Sequence, residues 1–335
     1  MRVLVLHLSD IHITESHNPV LDRVEQVKNA VQNLEPDPEA CFIVLTGDIA
    51  FSGKVLQYLI ARDFLESLKS SLRDSLESTT EIHMISIPGN HDCNFAGQTD
   101  VRNNLIQNIS TDEAYSPEII EKFTSVQNNY FQFLDSLDSD SLTITPSEVD
   151  RKYPPEDKIY YEYQVTLPHA KILFRCYNSA WVSQRNEEAG KLIFPLKTTP
   201  GKRHGFDLTF SLFHHPYNWL KPENRRKFKK HVEKCSQILL SGHEHDQTYE
   251  VRHGGSGETN THVEGEVLQD NNDDENSSFN AFIIDVTDHK QKFYNFTWDP
   301  EDEMYLETGR SNSEWKELQV NQLLRRDEFE LQDDW

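Results

Sequence analysis

The sequence predicts an α/β fold, a two-sheet sandwich with flanking helices, and three observations carry that prediction. Short apolar runs without polar alternation recur along the chain: Arg2 to Leu8, Cys41 to Leu45, Ile82 to Ile87, Leu208 to Phe213 and Gln237 to Leu240. Runs so rich in Val, Ile, Leu and Phe suit strands buried on both faces. Segments of helical period separate the first of them. Each run ends in a polar turn bearing Gly or His, at the strand ends where open α/β sheets bind ligands.

The elements follow in order. From Val20 to Leu34, the residues Val20, Val24, Val27, Val31 and Leu34 recur at three- and four-residue spacing, which predicts an amphipathic helix. Val55 to Leu76 repeats the pattern through Leu59, Leu65, Leu68, Leu72 and Leu76. Strand, helix, strand, helix, strand is the order of a layered α/β core. Asp100 to Leu137 reads as helical, with Pro117 opening a second helix. Beyond it, Tyr160 to Leu167 and Ile172 to Tyr177 read as consecutive strands around Pro168-His169. Phe279 to Val286 and Lys292 to Trp298 are strands expected in a second sheet built by the C-terminal half. The stretch from Gly254 to Ser278, rich in Gly, Asn and acidic residues, reads as a mobile loop. The expected organisation is one domain over residues 1–312, then a helical tail over 313–335. That tail either docks on the domain or begins a linker to a further domain or partner.

Composition narrows the function classes. A chain of 335 residues buries a full core. Its net charge of −23 repels nucleic-acid backbone and anionic membrane, which counts against a general nucleic-acid-binding protein. Cys41, Cys93, Cys176 and Cys235 form no CxxC pair, so neither a disulfide framework nor a thiolate zinc site is expected. The first apolar run meets Ser9-Asp10 too soon for a signal peptide, and no run approaches transmembrane length. The expectation is a cytoplasmic protein with no membrane partner.

The strand ends carry the chemistry. They read Ser9-Asp10-Ile11-His12, Gly47-Asp48, Gly89-Asn90-His91-Asp92, His214-His215-Pro216 and Gly242-His243-Glu244-His245. One Gly-Asp or one Asp-x-His alone is ordinary turn chemistry. Five clusters, each after an apolar strand, are not. Asp, Asn and His together are ligands for borderline divalent cations. On extended backbone, residues two apart share a face, so Asp10 with His12, and His243 with His245, can each line one cleft.

Taken together, the five clusters resemble the calcineurin-like metallophosphoesterase superfamily, over the span from Asp10 to His245. The resemblance implies a dinuclear metal site at the strand C-terminal ends, bridged by Asp48. One divalent metal ion would take Asp10, His12, Asp48 and His245, and the other Asp48, Asn90, His214 and His243. Manganese is the expected metal, while Fe, Zn, Ni and Co also accept such mixed N/O sites. The resemblance further implies in-line attack on phosphorus by a hydroxide bridging the metals. It places His91 over the substrate as proton donor to the leaving oxygen, with Asp92 fixing the tautomer of its ring. His214 and His215 point to opposite sides of a strand. His214 is favoured as ligand because it continues Leu212-Phe213 where the family's ligand falls, and the reverse assignment stays open. Asp246 either supports His243 or His245 or is solvated. The histidines outside the clusters are expected in the core or at the surface.

Aromatic residues flank the inferred site and can stack on a base: Phe51, Phe95, Tyr217 and Trp219. His215, Phe95, Tyr217 and Trp219 are the candidate substrate contacts. The wording His214-His215-Pro216 and the turn from Gly47 to Gly53 resemble bacterial cyclic-nucleotide and diester phosphodiesterases. The expected activity is hydrolysis of a small-molecule phosphodiester or phosphomonoester, a nucleotide or cyclic nucleotide. The alternative is a metal-dependent nuclease acting on DNA, as the effector domain of a larger defence or repair protein. A non-catalytic metal-bound scaffold is the third reading, and the full ligand set together with His91 stands against it.

Overall fold

The computed structural model describes residues 1–318 except 36, 97–99, 110–114, 138–153, 202, 246–247, 254–258 and 309–311. The predicted alternation is present at its start. Strand β1 (Arg2–Leu8) leads through a 3-10 turn into helix α1 (Val24–Val31), then β2 (Ala40–Leu45), α2 (Val55–Ser75) and β3 (Glu81–Ser86). Strands β1, β2 and β3 pair in parallel. Every residue of β2 is buried, as its continuous apolar run requires. Helix α2 buries Leu65, Leu68 and Leu72 of the stripe read from its period, together with Tyr58, Ala61 and Phe64, whereas Leu59 of that stripe is exposed.

The segment expected to be helical from Asp100 to Leu137 contains α3 (Asp100–Gln107), α4 (Pro117–Thr124) and α5 (Asn128–Leu137), with Pro117 opening α4 as anticipated. The second sheet follows: β4 (Tyr160–Leu167), β5 (Ala170–Tyr177), β6 (Leu208–Phe213), helix α6 (Pro222–Cys235), β7 (Ile238–Ser241), β8 (Thr248–His253) and β9 (Thr259–Glu264). Its order is β4-β5-β6-β7-β9-β8, parallel from β5 to β9 with antiparallel edges.

Three expectations are corrected here. The strands β10 (Ser278–Asp285) and β11 (Lys290–Asp299) do not build the second sheet. Strand β10 pairs antiparallel with β1, so the first sheet runs β12-β11-β10-β1-β2-β3, where β12 is Met304–Glu307. The expected mobile loop of 254–278 contains β9, whose six residues are all buried. Polar side chains there find polar partners: Gln291 donates to Thr261 Oγ1 at 2.6 Å, and His262 Nε2 lies 3.1 Å from Ser241 Oγ. The helix expected from Ser313 is instead strand β13 (Asn312–Glu317) against β11, with Trp315 receiving Arg2 and Lys292 on its ring. The rest of that expected tail, 319–335, lies outside the described residues, as does Asp246.

The two sheets pack face to face through one apolar core, with Phe42 of β2 against Phe174 of β5 at 5.0 Å between ring centroids. Helices α1, α2 and α5 cover the outer side of the first sheet. A second core, with Phe213, Phe228, Tyr177 and Trp181, lies under α4 and α6. All four cysteines are buried and free. No helix among the described residues is long and apolar enough to cross a membrane.

Candidate metal centre

The sandwich brings the carboxyl ends of β1, β2, β3, β6 and β7 to one edge. Hydrogen bonds within and between the two sheets hold them there. The Gly242 amide donates to the His214 carbonyl at 3.0 Å, the Thr46 hydroxyl to the Ser241 carbonyl at 3.4 Å, and the His243 amide to Asp10 Oδ2 at 3.1 Å. The chain approaches itself closely at these turns. A Cβ on Gly89 would stand 2.1 Å from Asp48 Oδ1, and one on Gly47 2.6 Å from His214 Nδ1, so only glycine fits either place. Asp10, His12, Asp48, His243 and His245 all have positive φ, between 49° and 84°. This costly conformation, concentrated on the residues that carry the chemistry, marks a site shaped for something other than stability.

All seven predicted ligands converge. Around Asp10 Oδ1 lie His245 Nε2 at 3.2 Å and His12 Nε2 at 3.7 Å. Around His214 Nε2 lie Asn90 Oδ1 at 3.1 Å, His243 Nδ1 at 3.2 Å and Asp48 Oδ2 at 3.3 Å. Asp10, Asp48 and His214 form a further donor group that joins the two halves. The Nδ1–H of His214 donates to the Thr46 carbonyl at 2.7 Å, which leaves Nε2 to face the cluster.

The electrostatics follow from burying carboxylates among imidazoles. Burial works against the charge of His214, yet the neighbouring Asp48 carboxylate outweighs it and raises the ring to about 10. Burial also opposes the charge of Asp48, and His214 reverses that, holding the carboxyl well below its usual range. His243, buried beside His215 and His214, falls to about 2, and burial takes His12 to about 4. Donors that would otherwise repel or demand protons thus share one small volume. Two carboxylates, an amide oxygen and four imidazoles fit divalent cations of borderline softness, so the residues present suit the metals the sequence implies.

His91 lies beside this cluster, its ring 4.7 Å from that of His12. Its amide donates to Asp48 Oδ1 at 2.7 Å, and its Nδ1–H donates to the Phe51 carbonyl at 2.8 Å. Asp92 therefore does not orient His91, contrary to expectation. Its fully buried carboxylate accepts from the amides of Ala50 and Gly89 at 2.9 Å each, from Ile49 at 3.3 Å and from the Tyr58 hydroxyl at 3.0 Å. It ties the Asp48 loop to the Gly89 turn, and burial near Asp48 raises its pKa to about 6.

Two candidate substrate contacts are also corrected. His215 is fully buried between Ser179 Oγ, 3.0 Å from its Nδ1, and Glu187 Oε2, 3.1 Å from its Nε2. With both ring nitrogens engaged, it lies against the rings of His214 and His243, and the expected preference for His214 over His215 fits this arrangement. Tyr217 turns into the second core against Phe213 and Phe228. Trp219 stays half-buried at the rim, 4.2 Å from His243 between ring centroids. Phe95 lines a cavity of about 340 Å³ that contains Asn90, His91, Phe51 and Arg185. No sequence signal points to Glu187 or Arg185, since the polar stretch around them has no period and no motif.

Residues 3–247 match the family of calcineurin-like phosphoesterases. The chain is similar to YydB, an uncharacterized metallophosphoesterase-like protein of Bacillus subtilis (strain 168), at 22% identity. That match covers 97% of this chain and 66% of YydB, so the chain spans just under two thirds of its relative's length. Among solved structures, vacuolar protein sorting 29 from Cryptosporidium parvum aligns at 12% identity and a TM-score of 0.37, covering 93% of this chain and 99% of that one. A hypothetical protein from Thermus thermophilus aligns at 10% identity and a TM-score of 0.37, covering 91% and 96%.

Proposed function

We propose, from the premise that the chain belongs to the calcineurin-like phosphoesterase family, that it is a dinuclear-metal-dependent phosphoesterase acting on a nucleotide-type phosphoester. The single observation that carries this reading is the convergence of all seven donors beside His91 and an open cavity. Asp10, His12 and His245 would hold one cation, and Asn90, His214 and His243 the other, with Asp48 between them. Bound there, two divalent cations, manganese in the first instance, supply Lewis-acid charge to a phosphoryl group and lower the pKa of water.

The chain's own residues do the rest. The Phe51 carbonyl holds the Nδ1 proton of His91, so Nε2 is the atom that exchanges a proton. As an imidazolium, His91 protonates the leaving oxygen from Nε2 as the ester bond breaks. The cavity of about 340 Å³ is in the size range of small-ligand pockets, and Phe51 and Phe95 offer ring faces within it. Trp219 and the buried His215 hold the His243 ring in place. A net charge of −23 favours a small substrate over a nucleic-acid duplex.

A manganese-supplemented substrate panel tests the proposal: bis-p-nitrophenyl phosphate, p-nitrophenyl phosphate, cyclic nucleotides, and single- and double-stranded DNA. Hydrolysis of the small esters that depends on added manganese is the expected result. Strong DNA cleavage with negligible turnover of every small ester would make the chain a nuclease instead.

A further inference from the structure

Arg185 carries a charge in the groove that the site described so far has not used. It lines the same cavity as His91, Phe51, Phe95 and Lys54. Lys54 is engaged, its Nζ 2.9 Å from Glu15 Oε2. Arg185 is exposed and has no hydrogen bond or ion pair among the described residues. In a chain of net charge −23, it is a cation of this cavity that no carboxylate among the described residues holds.

Its base is fixed although its head is free. Arg102, itself buried, donates to the Ser183 carbonyl at 2.8 Å on one side of the loop. On the other side Glu187 holds the Gln184 amide at 3.2 Å and His215 Nε2 at 3.1 Å. The turn that carries Arg185 is thereby anchored to the layer behind the metal ligands.

We infer that Arg185 reads a second anionic group on the leaving side of the substrate, so that the groove selects a linear phosphodiester bearing a further phosphate. The inference rests on the phosphoesterase reading above, which sets His91, and with it this cavity, on the leaving side. A guanidinium grips a phosphate through two parallel hydrogen bonds, whereas a neutral leaving group gives it nothing to hold. A cyclic mononucleotide has one phosphoryl group, which the metal centre takes, and leaves Arg185 unsatisfied. The ring faces of Phe51 and Phe95 in the same cavity suit a base carried by that leaving group.

The test uses the full chain with manganese and three probes: thymidylyl-thymidine and its 5′-phosphorylated and 3′-phosphorylated forms. One phosphorylated form should exceed the plain dinucleotide in kcat/KM by about 10- to 100-fold, the weight of a charge-assisted contact. Arg185→Ala should collapse that ratio toward one, and Arg185→Lys should keep part of it. No preference in the wild type, or a preference that Arg185→Ala leaves intact, overturns the inference. Wild-type turnover of bis-p-nitrophenyl phosphate separates the two levels: if it is present, only the assignment of Arg185 fails, and if it too is absent, the phosphoesterase reading fails.

Discussion

Gln269 donates its side-chain amide to the main-chain carbonyl of His12 at 3.3 Å, from a segment that begins beyond the family-matched residues. Asn271 donates to the same carbonyl at 3.2 Å, and the Gln269 amide N–H donates to the carbonyl of Asp10 at 3.3 Å. Together they clamp a turn in which both Asp10 and His12 hold positive φ. Paired polar contacts of this kind are how a fold sustains such strain at a ligand.

Removing the two side-chain contacts of the clamp, and leaving the main-chain Gln269–Asp10 bond, should loosen one metal position more than the other. The double variant Gln269→Ala, Asn271→Ala is expected to weaken the cation held by Asp10, His12 and His245 by about 10- to 100-fold, the usual effect of losing a support behind a ligand. Titration of the chelated protein with manganese would then resolve a tight and a weakened site. Equal weakening of both sites would show that the clamp only stabilises the fold.

His91→Ala should lower turnover of substrates with poor leaving groups by about 10²- to 10⁴-fold. The metals should remain, since His91 is not among the residues proposed to hold them. The loss should shrink for nitrophenolate esters, whose leaving group departs without a proton. An equal loss on both kinds of ester would assign His91 a positioning role.

Asp92→Asn should act through stability. The substitution turns one acceptor atom into a donor that faces backbone N–H groups, at a cost of about 1–3 kcal/mol. Urea unfolding would show it as a lower midpoint. A variant of unchanged stability that fails only on poor leaving groups would instead restore the expected link between Asp92 and His91.

Acid should find a weak point at His262. Burial first, then the nearby Arg252 and Lys229, take this ring to about 3, against 6.5 when free. The fold therefore holds it neutral, while the unfolded chain takes up a proton below about 6.5. Its contribution is complete above that pH and is lost as the pH falls toward about 3, at up to about 1.4 kcal/mol per unit. Replacing it in His262→Asn should make the fall in stability between pH 6.5 and 4.5 shallower than in the wild type. Parallel pH profiles for the two proteins would contradict the assignment.

What the sequence reveals depends on whether a local pattern records a tertiary fact. Strands β1, β2 and β6 are buried on both faces, so their apolar runs are unmistakable, and the ligands sit at fixed offsets from their ends. Strand β9 reads Thr-Asn-Thr-His-Val-Glu and is buried all the same, with Thr261 bonded to Gln291 of the other sheet, His262 beside Ser241 of β7 and Asn260 donating to the carbonyls of Glu233 and Ser236; composition alone resembles a loop. Helix α6 buries only Asn224, Phe228, Val232 and Cys235 among many charges, too thin a stripe to notice. Sheet membership of β10 and β11 depends on pairing over hundreds of residues, which no local period encodes. Asp92 and Tyr217 misled for one reason: being next to a site residue in the chain does not fix which way a side chain turns.

Metal content tests the dinuclear centre most directly. Purified chain, stripped with a chelator and reloaded with manganese, should bind two equivalents by elemental analysis, and Asp48→Asn should lose both along with activity. Asp48 lies 3.3 Å from His214 Nε2, and it groups both with Asp10 and His214 and with His12 and His91. Weakening its charge therefore touches both halves of the cluster. Two equivalents retained with full turnover in Asp48→Asn, or no manganese bound by the wild type, would contradict the dinuclear centre.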